Sequence, residues 1–96
     1  MTMTITHRLI GNKGLFLAME GDSKLGEMSY SVAGADKIII DHTEAFPGSE
    51  GKGVGKQLVL AGVEHARAHG LKIVPLCPFA KLMFDRNKAE FADVLA

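Results

Sequence analysis

The chain has 96 residues, 47% of them apolar and 23% charged, which is the composition of an ordinary globular domain with one modest core and no linker-like tract, and a single domain over residues 1–96 is expected. Eleven basic residues balance eleven acidic ones, so no overall field selects nucleic acid or an anionic membrane, and neither is expected as a partner. No apolar run approaches the roughly 20 residues that cross a bilayer, the N-terminus lacks a secretion-signal layout, and the single cysteine, Cys77, excludes an internal disulfide and a four-cysteine metal site; a cytoplasmic monomer or homodimer is expected.

Four strand-like segments fill the first half: Thr4 to Leu9, Leu15 to Glu20, Glu27 to Val32 and Lys37 to Ala45. Gly11-Asn12-Lys13-Gly14, Gly21-Asp22-Ser23 and Gly34-Ala35-Asp36 separate them, each short enough for a hairpin, which predicts an antiparallel meander. In the third segment Met28, Tyr30 and Val32 alternate with Glu27, Ser29 and Ser31, so one face is buried and the other wet.

From Val54 to His69 the period becomes helical, with Val54, Leu58, Val59, Gly62, Val63 and Ala66 on one side and Lys56, Gln57, Glu64 and Arg67 largely opposite. Gly70 closes this helix as a C-cap. Leu71 to Cys77 reads as a buried strand, and Phe79 to Asp85 and Glu90 to Leu95 as short helices. Strand, loop, helix and strand in succession make a crossover, so the fifth strand should run parallel to the fourth. The expected fold class is α/β (α+β): a meander, one crossover unit and short C-terminal helices.

Between the fourth strand and the long helix lies Glu50-Gly51-Lys52-Gly53-Val54-Gly55-Lys56. Glycines at alternate positions let main-chain N–H groups approach an anion unobstructed, and the helix that starts there adds unpaired donors and the positive end of its dipole. The pattern points to a phosphorylated cofactor. An ordinary nucleotide-triphosphate loop is excluded, because Glu50 stands at its first glycine position and Gln57 where the magnesium-binding hydroxyl belongs. The dinucleotide fingerprint fails as well, since its last glycine falls on Lys56 or on Leu58.

Gly53-Val54-Gly55 with its flanks resembles the acetyl-CoA pyrophosphate loop of the GNAT superfamily of N-acetyltransferases, Gln/Arg-x-x-Gly-x-Gly/Ala. Glu50 replaces the Gln/Arg, and Lys52 and Lys56 are placed to supply positive charge. The order of fourth strand, loop, long helix and fifth strand is also similar to that superfamily, in which the two strands splay apart to admit the pantetheine arm. After the fifth strand its members often carry Asn-x-x-Ala-x-x-x-Tyr; here Cys77, Ala80 and Phe84 stand at that spacing, and Ala80 alone matches. His42-Thr43-Glu44, the glycine loop and Pro75-Leu76-Cys77-Pro78-Phe79 together look like a small single-domain branch of GNAT proteins.

The resemblance implies acetyl-CoA as cosubstrate, held by Glu50 through Lys56 with Cys77, Phe79 and Phe84 along its channel, no metal, and direct transfer of the acetyl group to an amine. Attack by an amine requires a base, and Glu44 and His42, two residues apart on a strand, project to one side. Cys77 falls where cofactor and acceptor meet; a thiol there either lines the channel or accepts the acetyl group, and the lining role is the expectation. Phe84 has no proton to give a leaving thiolate. That absence favours the alternative of a non-catalytic CoA-binding or interaction module. His65 and His69 share a helix face without a third ligand, so no metal site is expected. The short link between the first two strands leaves the acceptor side open, which suits a protein-borne amine or a polyamine.

Overall fold

The computed structural model describes residues 2–96. Strands β1 (Thr4–Ile10), β2 (Lys13–Glu20), β3 (Ser23–Val32) and β4 (Lys37–Ala45) form an antiparallel meander, helix α1 (Val54–His69) crosses over, and β5 (Lys72–Pro75) joins β4 in parallel. The sheet order is β1-β2-β3-β4-β5, followed by α2 (Pro78–Arg86) and α3 (Lys88–Phe91).

The first two hairpins are tighter than expected. Their loops are Gly11-Asn12 and Gly21-Asp22, with φ of 61° and 60° at the glycines, the left-handed geometry that a two-residue turn with glycine first requires. The strands therefore run through Lys13 and Gly14 and back to Ser23. Gly14 is a strand residue opposite Tyr30, and a Cβ there would meet the Tyr30 ring at 2.0 Å. Its lack of a side chain lets the tyrosine lie flat across β2.

One face of the sheet, the inner face, receives α1. Phe16, Ala18, Met28, Tyr30, Ile38, Ile40 and Ile73 point toward Val54, Leu58, Val59, Val63 and Ala66 of the helix, and all are buried. Burial of each large aliphatic side chain here contributes about 1.5–3 kcal/mol. Gly62 brings the helix close, since a Cβ on it would lie 2.8 Å from Met28 Cε. The helix bounds and the left-handed Gly70 cap agree with the sequence reading.

The C-terminal end departs from expectation. The helix expected over Glu90 to Leu95 instead starts and ends earlier: α3 covers Lys88–Phe91, and beyond it the chain extends so that Ile73 N–H donates to Val94 C=O at 2.6 Å and Ala96 N–H to Ile73 C=O at 2.9 Å. The free edge of β5 takes these bonds, and Arg67 secures the segment through Asp93 at 2.6 Å and the Glu90 carbonyl at 2.9 Å.

Another join is aromatic. His7 of β1 stacks on Phe16 with centroids 4.4 Å apart, meets His65 of α1 at 4.5 Å, and its Nε2 lies 2.6 Å from the Tyr30 hydroxyl. His69 follows at 4.4 Å from His65. Desolvation among these rings, then the mutual repulsion of the histidines, holds His7 and His65 below the ordinary imidazole value of 6.5. A base whose folded pKa is depressed binds more protons unfolded, so stability is present above about pH 6.5 and is lost as pH falls from there through the folded values. The denaturant midpoint is expected to fall between pH 7 and pH 5, and a His65→Gln variant should show a flatter profile; parallel profiles would refute the assignment.

Candidate functional site

The pairing of β3 with β4 carries the feature that shapes the site. Tyr30 pairs with Ile40 but Ser29 pairs with His42, so Asp41 is an extra residue, a β-bulge. Without it His42 and Glu44 would follow Ile38 and Ile40 onto the inner face. With it Thr43 takes the inner face beside Met28, and His42 and Glu44 turn to the outer one opposite Ser29 and Glu27. Asp41 is held by the Ser31 hydroxyl at 2.6 Å, which in turn accepts from Lys13 Nζ at 2.7 Å.

Beyond Ile40, β4 and β5 part. Pro75 has no N–H, and the amides of Leu76 and Cys77 both donate to the Ile40 carbonyl, at 3.2 and 3.1 Å, which turns the chain out of the sheet. β5 thus ends at Pro75, short of the expected Cys77. The main-chain groups of Asp41 through Ala45 are left without a strand partner on that side. Cys77 becomes the N-cap of α2: its Sγ accepts from Ala80 N–H at 3.3 Å, Pro78 follows at the first helical position, and Thr43 Oγ1 lies 3.3 Å from the same sulfur. At 5% exposure Cys77 is packed into the inner side of the cleft between the two strands.

The glycine loop lies at the far end of that cleft. Gly51 and Gly53 adopt φ of 77° and 68°, and a Cβ on either would meet nothing within 4 Å. Gly53 is the N-cap of α1 with no side-chain cap, and the first intrahelical bond is Gln57 N–H to Gly53 C=O at 3.0 Å. The N–H groups of Val54, Gly55 and Lys56 therefore precede the helix ladder and form, with the dipole, an anion-directed set. Lys52 N–H is engaged by the Ser49 carbonyl at 3.3 Å, and its Nζ pairs with Glu20 at 3.1 Å. Glu50, at the first position of the motif, turns inward on the loop and accepts from Gly48 N–H at 3.0 Å. Phe79 packs against Gly55, whose Cβ would fall 2.8 Å from the ring.

The pieces named from sequence are thus divided. The loop, Phe79 and Cys77 border the cleft, and His42 and Glu44 stand on its outer side, Nε2 to Oε1 at 3.3 Å, both more than half exposed. Phe84, expected along the channel, is 3% exposed and packs on Phe91 with centroids 5.0 Å apart. It faces a depression of about 510 Å³ between α2 and the C-terminal segment, lined also by Val74 and Pro75. Thr43 and Asp41 were missed, and only a bulge, which leaves no mark in the apolar pattern, gives them their places.

The sequence model of the GCN5-related N-acetyl-transferase family matches residues 15–94. No curated protein matches the chain in sequence. Among solved structures, a GCN5-like protein from Staphylococcus aureus is 36% identical, with a TM-score of 0.68 over 95% of this chain and 87% of that one. A GNAT family acetyltransferase from Streptococcus pneumoniae shares the fold at 14% identity, TM-score 0.64, over 92% of this chain and 86% of its own. AAC(6')-Iy, solved with the bisubstrate analogue CoA-S-monomethyl-acetylneamine, does so at 20% identity, TM-score 0.56, over 83% and 61%. With the loop, the splayed strands and this match in hand, the chain belongs to the GCN5-related N-acetyltransferase family.

Proposed function

We propose that the protein binds acetyl-CoA in the cleft between β4 and β5 and transfers its acetyl group directly to an amine presented on the outer face of the sheet. The observation that carries this reading is the combination of unengaged N–H groups at Val54, Gly55 and Lys56 with the partnerless stretch of β4. The first suits a pyrophosphate, and the second suits the amides of a pantetheine arm, which can pair with β4 as a strand would. Lys56, exposed at the helix start, adds charge. The cosubstrate supplies an activated thioester.

The chain's own residues then have separable tasks. His42 and Glu44, joined at 3.3 Å on the acceptor side, take up the proton that the attacking nitrogen must lose. Thr43 and the capping Cys77 close the inner side of the cleft against water. With its sulfur buried and engaged by Ala80 N–H, Cys77 is a wall and a helix cap rather than a nucleophile. Neutralisation of the departing thiolate falls to solvent, because Phe84 carries no proton and sits in the core.

Three outcomes follow from these tasks. A Gly55→Val variant forces Phe79 out of its seat and crowds the anion-directed amides, so calorimetry should show CoA binding weakened by about tenfold or more with the fold retained. Unchanged affinity would remove the loop from the site. Glu44→Gln and His42→Ala should lower turnover, by about a hundredfold where the lost group is the base, while leaving acetyl-CoA affinity near wild type. Cys77→Ser keeps a capping oxygen and should retain activity, whereas Cys77→Ala should lose about 1 kcal/mol of stability. An acetylated Cys77 that forms and decays at the turnover rate, seen by intact mass, would overturn direct transfer.

A further inference from the structure

Among the described residues the outer face of the sheet carries no helix across β1, β2 and β3, because α1 packs on the inner side and α2 makes its main contacts with β4, β5 and the other helices. The register aligns the residues of this open face in rows. Arg8 pairs with Leu15, Leu15 with Ser29, and Ser29 with His42; one row over, Thr6 pairs with Leu17, Leu17 with Glu27, and Glu27 with Glu44. Each row runs from the proposed acceptor site to the free edge of the sheet.

Charge along these rows is segregated. At the β4 end, Glu27 and Glu44 stand directly opposite one another beside His42 and Asp41. Like charges so placed oppose folding by themselves, and a bound cation relieves them. Toward the free edge, Leu15 and Leu17 of β2 line a depression of about 390 Å³ together with Arg8 of β1 and Lys24, which comes from the start of β3. Among the described residues neither cation forms an ion pair with a carboxylate, and both are exposed. Along these two rows the face is acidic at the site of chemistry, apolar at Leu15 and Leu17 and basic at Arg8, while Lys13, on a flanking row, reaches Asp41 through Ser31.

We propose that this face docks the acceptor, and that the acceptor is an extended protein segment carrying a lysine with an acidic residue three or four positions away. The inference rests on the acetyl-transfer reading of the cleft. Strands are spaced by about 4.8 Å, so β4 lies roughly 10 Å from β2 and 14 Å from β1, which an extended chain at about 3.3 Å per residue spans in three to four residues. The lysine meets Glu27, Glu44 and His42, the intervening side chains lie on Leu15 and Leu17, and the carboxylate reaches Arg8 and Lys24. A free polyamine gains nothing from the basic end. A second copy of this chain is the competing occupant, but it would cover His42 and Glu44.

The test uses fluorescently labelled nine-residue peptides with one lysine and an aspartate four positions away, against versions with asparagine or lysine at that position. Binding to the CoA-loaded protein is read by anisotropy and acetylation by mass spectrometry. The aspartate peptide is expected to bind about fivefold to tenfold more tightly than the asparagine one, and Arg8→Glu with Lys24→Glu should reverse the order while acetyl-CoA affinity, measured by calorimetry, stays as in wild type. Equal binding of the three peptides, or acetylation indifferent to the flanking residue, overturns the docking inference and leaves the acetyl-transfer reading standing. Loss of acetyl-CoA binding in wild type would instead sink that reading. Self-association that the same two substitutions abolish assigns the face to a second copy and overturns the proposal.

Discussion

One extra residue in β4 governs the arrangement of the site. A strand alternates its side chains with a period of two, so a single inserted position inverts everything after it. Up to Ile40 the strand feeds the core; after Asp41 it feeds the cleft with Thr43 and the open face with His42 and Glu44. The bulge does not stand alone: the bonds from Lys13 to Ser31 and from Ser31 to Asp41 fasten it to β2 and β3. Hydrogen bonds of this kind, one exposed and one part-buried, contribute only about 1 kcal/mol each. Their consequence is positional, because they resist a register in which two polar side chains would be driven into the core.

A second constraint acts on the other wall of the cleft. Parallel strands normally continue together until a loop interrupts one of them, and here proline removes the donor that the next ladder step needs. Two successive amides then compete for one carbonyl, that of Ile40, and the chain leaves the sheet. The exit places Cys77 to begin α2 and sets Phe79 against the glycine loop. The widening cleft is therefore built from local chemistry at Pro75 and Asp41, on two strands that would otherwise pair to their ends. The core beneath it is undisturbed, since Ile38, Ile40 and Ile73 all lie on the paired side.

Sequence reading recovered what periodicity and glycine chemistry encode. Helix α1 was legible to both ends because its apolar stripe is regular, its start lies at Gly53 and its end at Gly70, each with a left-handed φ. The meander and the parallel fifth strand followed from segment order. Hairpin lengths were misjudged where a glycine served a neighbour instead of a turn: Gly14 looks like loop, yet it is the seat of the Tyr30 ring. The C-terminal residues have helical composition, but the open edge of β5 and the Arg67 bonds to Asp93 and Glu90 outweigh so short a segment's weak propensity. Of the site, the loop and the pair His42 and Glu44 were visible, whereas Asp41, Thr43 and the contact of His7 with His65 are products of register that no local pattern announces.

The outer face of the sheet is left bare by the way the helices are placed. A five-stranded sheet has two faces, and this chain has one long helix, which buries the inner face almost completely. Among the described residues no helix covers the outer face, which carries charges around half-buried Leu15, Leu17 and Ile39. Solubility alone asks only that charges be present; mixing the two signs along each strand would serve it better than separating them, because opposite charges facing across strands stabilise the sheet and like charges do the reverse. The pairing of Glu27 with Glu44, with Arg8 at the other end of the rows on β1, forgoes that stabilisation. Under the docking proposal this arrangement is what an incoming segment of opposite polarity would read, since Glu27 and Glu44 lie on the side of the face where β4 and β5 part.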